Sequence, residues 1–298
     1  MTLLKEEGFK YTQQVKIKEG DTEKVFPLYD MEQMRAGLLY TEDIPPEIGD
    51  NVSKNIVRIK DRLQVSEKVI DEPCAVVGFG PTLKKFGERL KDFRHIITTS
   101  GAHKYLIDRD IIPSYHVEID YRERKAVHTK ESHPDVEYLL GSIVHPAVLD
   151  NVEGKRCKLW HIKLTGIEYP KDELVLEGYW DVGQEAILVA KTLGYRNLHL
   201  FGFDYAIEVD TDKTHAGFHN GMPINFVFAK CNNKYFKTTD NLARGVMVFQ
   251  ALMEDNTDLG LTIYSDGLLS EYLNYHYINK GKEDTSPALS QQGVLSNV

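Results

Sequence analysis

Cysteine is scarce in this chain, with only three in 298 residues. Cys74, Cys157 and Cys231 lie in three separate segments, and they form neither a Cys-x-x-Cys metal motif nor a set that can pair completely in disulfides. We interpret Cys74 and Cys157 as small core residues of strands rather than as redox groups. The sequence therefore predicts neither a disulfide scaffold nor a cysteine-bound metal.

Long hydrophobic runs and positive net charge are also missing. Residues 1–7 carry charges where a signal peptide needs an apolar run, and no stretch approaches the roughly 20 apolar residues of a membrane span. The net charge of -9 repels phosphate backbones. We therefore expect a cytoplasmic protein with no membrane span and no nucleic-acid partner, in which a locally positive pocket can still bind a small anion.

The first part of the chain shows a helical pattern. Val52, Ile56 and Ile59 recur at the spacing of one helix face, before a break at residues 71–73. We interpret residues 1–70 as a helical N-terminal extension that packs on the main domain.

From Cys74 onward, short β-branched or aromatic runs alternate with helical stretches, which is typical of a parallel sheet with crossover helices. Residues 71–279 are therefore predicted to form an α/β, Rossmann-like domain with flanking helices. Strands are expected near residues 74–79, 95–99, 115–120, 140–144, 157–162 and 197–203, and helices near 83–93, 183–193 and 239–254. The stretch at 205–235 is too long for a connector and is predicted to be a lid-like insertion. Residues 280–298 lose apolar periodicity and are predicted to be a disordered tail.

A glycine loop follows the first strand of this predicted sheet. Ligands of an open parallel sheet bind beyond the carboxyl ends of its strands, where this loop places Gly78, Gly80, Pro81 and Thr82. Glycines let backbone approach a ligand, and the N-terminus of the next helix offers unpaired N–H groups and a positive dipole to phosphate. Thr82 can cap that helix or donate its hydroxyl to the ligand. The alternative is a tight strand-to-helix turn without a ligand.

This loop matches neither of the common nucleotide motifs. Leu83 stands where a dinucleotide fingerprint needs its third glycine, and residues 98–100 end the second strand where an acid should bind the ribose. No Gly-Lys-Ser/Thr follows at the spacing of a P-loop. The sequence therefore disfavours nicotinamide cofactors, and we expect no tightly bound cofactor.

Three more polar residues follow predicted strands at the same edge. Ser100 ends the second strand, Asp120 ends the third, and Asp204 follows the last strand before the insertion. Each aspartate can cap a helix or turn, or can bind a ribose, a base or a magnesium ion. The residue types alone leave these alternatives open.

Two histidines, His215 and His219, come soon after Asp204. Their spacing would suit zinc on a helix face, but Gly217 and Gly221 make that helix unfavourable. Neutral imidazole can accept a hydroxyl proton near physiological pH, so a general base on a flexible loop is the favoured interpretation. Two solvated loop histidines are the alternative.

The order of these motifs resembles the MptE-like superfamily, which includes the bacterial motility accessory factors. The similar segments fall within about residues 73–270, and they are residues 78–83, Ser100, 112–120, 183–195 and 200–204. The resemblance implies a Rossmann-like fold and one of two activities. Motility accessory factors are regarded as transferases of nonulosonic acids, such as pseudaminic acid, from CMP donors to flagellin Ser and Thr. Archaeal members instead transfer diphosphate from ATP to a hydroxymethyl pterin.

A local resemblance to small bacterial sialyltransferases favours glycosyl transfer. Those enzymes carry a Ser-His-x-x-Gly-His-like segment after a Gly-x-Asp strand end, and residues 214–219 after residues 202–204 are similar to it. The second histidine of that segment is their general base, and it falls on His219. Ala206 and Val182 depart from the pattern, because those enzymes have a phosphate-binding tyrosine and a serine at these places.

The resemblance implies transfer of a sugar from a CMP-activated donor to a hydroxyl acceptor, either a glycan or a protein Ser or Thr. The catalytic residues that it implies are His219 as the base, with His215 and Asp204. The nucleotide-binding residues that it implies are Gly78, Gly80, Pro81, Thr82, Ser100, Asp120, Gly183 and Gln184. Mg²⁺ enters only in the alternative, an ATP-dependent diphosphokinase with the metal on Asp120 and Asp204. A second alternative is a non-catalytic nucleotide-binding protein, and the sequence leaves open whether the chain forms a homo-oligomer.

Overall fold

Eight parallel strands form the main sheet of the protein, and four more strands form a second sheet. The computed structural model describes residues 13–19, 22–34, 44–208, 213–217 and 225–279. The strands are β1 (Gln13–Glu19), β2 (Thr22–Asp30), β3 (Cys74–Val77), β4 (His95–Thr99), β5 (Tyr115–Glu118), β6 (Glu137–Gly141), β7 (Arg156–Ile162), β8 (Val175–Leu176), β9 (Asn197–Phe201), β10 (Val227–Cys231), β11 (Lys234–Thr238) and β12 (Gly260–Tyr264). The order is β12-β9-β3-β4-β5-β6-β7-β8 in the main sheet and β1-β2-β10-β11 in the second.

The strands predicted from the sequence are confirmed in β3, β4, β5, β6, β7 and β9, with ends that shift by a few residues. The prediction of an α/β, Rossmann-like fold with a mostly parallel sheet is confirmed as well. All four residues of β3 are buried, as expected for a parallel strand that is covered on both faces. Successive side chains of β3 point to opposite faces of the sheet. Cys74 and Val76 pack in one core cluster, whereas Ala75 and Val77 pack in another.

Helices cover both faces of the main sheet. The α-helices are α1 (Pro46–Arg58), α2 (Leu83–Phe86), α3 (Ala102–Ile107), α4 (Pro146–Asn151), α5 (Val182–Thr192), α6 (Asp240–Asp255) and α7 (Leu268–Leu273). Helix α5 packs against β3, β4 and β5, and most of its residues are buried. Ala102 and Leu106 of α3 pack with Leu83 in the core cluster that contains Ala75 and Val77 of β3, so α2 and α3 cover the opposite face from α5.

The predicted helix at residues 83–93 is wrong as one continuous α-helix. Its first turn is α2, and the 3-10 helix Gly87–Asp92 follows directly. Leu83 and Leu90 are nevertheless fully buried, so the apolar face that the sequence showed does pack in the core.

The N-terminal region is helical only in part. Helix α1 confirms the apolar spacing of Val52 and Ile56, and its buried Asn51 and Asn55 attach it to the main domain. Asn55 Nδ2 donates to the carbonyls of residues 142 and 144, at 2.9 and 2.7 Å, just beyond the carboxyl end of β6. The prediction that this extension is helical throughout is wrong, however, because β1 and β2 pair as an antiparallel hairpin before α1.

The predicted insertion supplies the rest of the second sheet. Strand β10 pairs parallel to β2 and antiparallel to β11, so the segment after residue 204 joins the N-terminal hairpin. This pairing joins segments about 200 residues apart in sequence, which local patterns do not encode. The predicted tail at 280–298 lies outside the described residues. None of the helices in the described ranges combines the length and apolarity that crossing a membrane requires.

Candidate functional site

A cavity of about 180 Å³ lies where the order of the main sheet reverses. The chain goes from β3 to β4 and β5 on one side, while β9 and β12 lie on the other side of β3. Ligands of open parallel sheets bind at such a switch point, beyond the carboxyl ends of the strands. The predicted site residues in its wall are Gly78, Gly80, Ser100, Gly183, Asp204 and His215. Those outside its described wall are Pro81, Thr82, Asp120 and Gln184.

Asp204 holds the glycine loop in place. Its carboxylate accepts a hydrogen bond of 2.9 Å from the Thr82 backbone N–H, and it also accepts one from the Thr82 hydroxyl. The Ser265 hydroxyl, on the turn after β12, donates to the same carboxylate. Burial raises the pKa of Asp204, although the hydrogen bonds from Ser265 and Thr82 oppose this effect. Asp204 thus joins the ends of β3, β9 and β12, and its predicted part in catalysis stays a proposal.

The N–H groups of the glycine loop contact strand β9 rather than an open space. Gly78 N donates to the Phe201 carbonyl at 2.8 Å, and Gly80 N donates to the Gly202 carbonyl at 2.9 Å. A Cβ at Gly80 would lie 2.2 Å from Asp204 Oδ2 and 2.6 Å from the Gly202 oxygen. The expectation that the helix after this loop offers unpaired N–H groups at its N-terminus is also wrong, because the N–H groups of residues 83–85 donate to the carbonyls of residues 80–82.

The N-terminus of α5 is capped by the protein itself. Asp181 accepts hydrogen bonds from Gly183 N at 2.8 Å and Gln184 N at 3.0 Å, so the backbone N–H groups of these two predicted nucleotide-binding residues already have a partner. Asp181 also accepts from the Tyr205 hydroxyl at 2.7 Å. The buried Gln184 amide donates to that hydroxyl and, at 2.8 Å, to the Gly245 carbonyl. Gln184 therefore supports the wall of the cavity from behind.

Ser100 is the predicted residue whose geometry best suits a ligand contact. Its φ of 46° lies in the left-handed region, which a residue other than glycine adopts rarely and often at functional sites. The side chain is half-buried, and its hydroxyl makes no hydrogen bond with another described residue. The next residue, Gly101, lies against Phe79, since a Cβ there would be 2.4 Å from the Phe79 ring.

Phe79 also holds the segment that contains His215. The Ala216 N–H donates to the Phe79 carbonyl at 2.9 Å, and the Phe79 and His215 rings lie 5.6 Å apart between centroids. A hydrogen bond of 2.7 Å joins His215 Nδ1 to the Thr214 hydroxyl. His215 therefore lies in the wall of the cavity, and its predicted part in catalysis stays a proposal. His219, the predicted base, lies outside the described residues.

Asp120 lies at the end of β5, two strands away from β3. It forms an ion pair with Arg122 and accepts hydrogen bonds from the Arg122 backbone N–H at 3.0 Å and from Nε at 2.8 Å. Burial would raise the pKa of Asp120, but these hydrogen bonds and the charge of Arg122 outweigh it and lower the pKa. A ligand contact by Asp120 stays a prediction.

Sequence reasoning missed three parts of this site. The cap at Asp181 has a recognisable signal, since an aspartate directly precedes the apolar α5 helix. Phe79 gave no signal, because its role depends on the segment that packs against it. Glu118 and His128, which form a hydrogen bond of 3.0 Å at the end of β5, also gave none from their positions in the sequence.

Two solved structures match this chain in a structural comparison. The chain matches the MAf glycosyltransferase from Magnetospirillum magneticum AMB-1 with a TM-score of 0.58 and 19% sequence identity, over 74% of this chain and 36% of that one. The chain thus spans about a third of the length of that protein, and the likeness shows a shared fold. A mammalian sialyltransferase in complex with Gal-beta-1-3GalNAc-ortho-nitrophenol matches at a TM-score of 0.37 and 11% identity, over 86% of this chain and 92% of that one.

Sequence comparison identifies the family. No curated protein sequence matches the chain significantly. A family model described as 6-hydroxymethylpterin diphosphokinase MptE-like matches residues 47–210, which include the first six strands of the main sheet that follow α1, together with β9. The match covers more than half of the 298 residues, so the chain belongs to the MptE-like family, as its motifs indicated.

Proposed function

We propose that this protein is a glycosyltransferase that moves a sugar from a nucleotide-activated donor to a hydroxyl acceptor. The observation that carries the proposal is the cavity at the switch point, where β4 supplies the Ser100 hydroxyl and the segment after β9 supplies the His215 imidazole. A donor of hydrogen bonds and a group that can exchange a proton are the two elements that transfer to a hydroxyl requires. The fold shared with a MAf glycosyltransferase is compatible with this activity.

The proposed donor is a CMP-activated sugar of the nonulosonic acid type. Its phosphate cannot use the N–H groups of Gly78, Gly80 and Thr82, which are bonded within the protein. We therefore assign phosphate contacts to two hydroxyls in the wall of the cavity, those of Ser100 and Thr214. The other two hydroxyls of the wall, on Thr99 and Tyr205, donate to the Val77 carbonyl and to Asp181. The cavity of about 180 Å³ is smaller than the roughly 300–1,000 Å³ of typical ligand pockets, so a bound donor extends along the strand ends.

A histidine of the segment after β9 is proposed as the general base. It takes the proton of the acceptor hydroxyl, the acceptor oxygen bonds to the anomeric carbon, and the bond from that carbon to the phosphate breaks as CMP leaves. His219 is the first candidate on the sequence pattern. His215, which the structure places in the wall of the cavity, is the second. General-base catalysis contributes about 10²- to 10⁴-fold to such a rate.

A diphosphokinase is the second candidate function, because the matching family model bears that description. ATP chemistry needs Mg²⁺, for which the sequence suggested Asp120 and Asp204. Both carboxylates already have protein partners. Asp204 accepts from Thr82 and Ser265, and Asp120 forms an ion pair with Arg122. These two aspartates do not fit a magnesium site as they stand, so the glycosyltransferase is the better-supported proposal.

Donor turnover by the purified protein separates the candidates. With CMP-N-acetylneuraminic acid or CMP-pseudaminic acid, a glycosyltransferase releases CMP. With ATP, Mg²⁺ and a hydroxymethyl pterin, a diphosphokinase releases AMP. We also expect CMP or CDP to raise the melting temperature without added metal, since a ligand that binds only the native state stabilises it. Binding of CMP without any turnover would favour the non-catalytic alternative, and release of AMP alone would refute glycosyl transfer.

Histidine variants test the proposed base. His219→Ala should lower transfer by roughly 10²-fold or more while donor affinity changes by only a few fold. His215→Ala should lower transfer much less. His95→Ala is the control, because His95 opens β4 and pairs with Glu72 at the opposite, amino-terminal edge of the sheet. A larger loss in His215→Ala than in His219→Ala would move the base to His215, and wild-type rates in both would remove histidine from the mechanism.

A further inference from the structure

Glu118 is a buried carboxylate at the carboxyl end of β5. It is 1% exposed, and its Oε1 accepts hydrogen bonds from Ile119 N at 3.0 Å and Asp120 N at 3.2 Å. Its Oε2 lies 3.0 Å from Nδ1 of His128, on the 3-10 helix Glu123–Thr129. Burying a carboxylate is unfavourable unless its oxygens are hydrogen-bonded, and here both oxygens have partners. Hydrogen bonds therefore hold the Glu118–His128 pair in place at this edge of the sheet.

This pair fixes which nitrogen of His128 is available to a ligand. We assign the Nδ1 proton of His128 to this contact, in which the Glu118 carboxylate oxygen accepts the hydrogen bond. In the neutral ring Nε2 is then an acceptor, and it makes no hydrogen bond with another described residue. The side chain of His128 is 15% exposed, so a ligand can reach it from solvent.

The same backbone stretch connects this pair to a second ion pair. Glu118 accepts from Asp120 N, and the Asp120 carboxylate binds Arg122, with side chains 16% and 44% exposed. An acceptor nitrogen, a carboxylate and a guanidinium thus lie on the segment from the end of β5 to the following 3-10 helix. We name these residues, Glu118, Asp120, Arg122 and His128, the β5-edge network.

The β5-edge network lies next to the cavity. Thr99 of β4 pairs with Val117 of β5, so Ser100, which follows β4, and Glu118, the last residue of β5, lie side by side at the carboxyl edge of the sheet. Neighbouring strands are about 4.8 Å apart. Ser100 lines the cavity, which is too small for a nucleotide sugar alone, so ligands that extend from it along the strand ends towards β5 reach this network.

We propose that the β5-edge network is the acceptor subsite and that it binds a carbohydrate rather than a protein serine or threonine. The proposal rests on the glycosyltransferase function proposed above. A neighbouring pair of sugar hydroxyls can donate to His128 Nε2 and to the Asp120 carboxylate and can accept from the Arg122 guanidinium at the same time. A single serine or threonine hydroxyl satisfies only part of this set.

Direct binding measurements test the subsite without turnover. Saturation-transfer NMR in the presence of CMP would use lactose, N-acetylglucosamine and methyl galactoside as carbohydrate probes, with a serine-containing peptide as the protein probe. We expect at least one sugar to bind the wild type and His128→Ala to weaken that binding by roughly 3- to 10-fold, the range for losing one hydrogen bond. His128→Gln keeps an acceptor oxygen and should retain most of the affinity.

Two further variants keep the test decisive. His95→Ala removes a histidine from a similar pair with Glu72 at the amino edge of β4, and it should bind sugar as the wild type does. Arg122→Ala changes a side chain that is 44% exposed, so it should fold and weaken binding even if His128→Ala does not fold. The proposal is overturned if His128→Ala and Arg122→Ala bind sugar as the wild type does, or if His95→Ala loses as much sugar affinity as they do. It is also overturned if only the peptide binds or if no sugar binds. A wild type that responds to CMP but binds no sugar would refute this subsite alone, whereas no response to CMP would count against the proposed function.

Discussion

Replacing Gly80 by alanine tests why the loop after β3 needs a glycine. Gly80 does not have a positive φ, so alanine can adopt its backbone conformation without strain. The problem is space, because a Cβ would lie 2.2 Å from Asp204 Oδ2 and 2.6 Å from the Gly202 carbonyl oxygen. Contacts below about 3.0 Å do not occur for real Cβ atoms, so the loop or β9 must move by several tenths of an ångström.

The size of the effect follows from what must move. The Gly202 oxygen is backbone and accepts from Gly80 N, while the Asp204 carboxylate accepts from Thr82 N and has little freedom. Overpacking of this kind costs about 1–3 kcal/mol, and weakening one charge-assisted hydrogen bond adds about 1 kcal/mol or more. We therefore expect Gly80→Ala to lower the free energy of unfolding by about 2–4 kcal/mol. The melting temperature should fall by about 3–6 °C.

Gly87→Ala is the matched control. Its Cβ would meet only Leu83 Cδ1 at 3.8 Å, an ordinary contact, and its φ of -61° suits alanine. It should leave the protein unchanged or stabilise it by up to about 1 kcal/mol. Urea unfolding followed by circular dichroism compares both variants with the wild type. Equal stability of Gly80→Ala and Gly87→Ala would refute the steric argument. The remaining explanation for Gly80 would then be that it lets the backbone approach a ligand closely.

Three further changes should have measurable effects. Burial raises the pKa of Glu185 to about 8 from an ordinary value of 4.5, so the native state holds an extra proton between these pH values and the free energy of unfolding falls as pH rises through them. In urea unfolding at pH 5 and pH 9, Glu185→Gln should abolish this fall, and an equal fall in the variant and the wild type would contradict the prediction. Tyr205→Phe removes a buried hydroxyl that donates to Asp181, and it should destabilise the protein by about 1–3 kcal/mol in thermal unfolding, whereas an unchanged midpoint would show that Asp181 finds another donor. Ser100→Ala should weaken CMP binding several-fold in calorimetry with little change in stability, and unchanged affinity would remove Ser100 from the phosphate contacts.

Local sequence patterns sufficed to predict most strands of the main sheet and the edge at which several candidate site residues meet. The strands β3, β4, β5 and β9 are short apolar runs followed by turn residues, and their carboxyl ends had to meet at one edge because the sheet is parallel. That argument alone brought Ser100 to the cavity. The family was also visible in the order of these motifs.

The hydrogen-bond partner of each polar group could not be read from local sequence. The sequence shows that a glycine loop, Asp204 and a helix N-terminus exist, but not that Asp204 accepts from Thr82, 122 residues away, or that Asp181 caps α5. A buried N–H group or carboxylate forms a hydrogen bond with a group that lies beside it in the folded chain, because leaving it unpaired costs about 1–3 kcal/mol of stability. That choice depends on which distant segments become neighbours, as in the pairing of β2 with β10. The fold class and the edge where the candidate site residues meet were therefore predictable from local sequence, whereas the donors and acceptors left open at that edge depend on the folded chain.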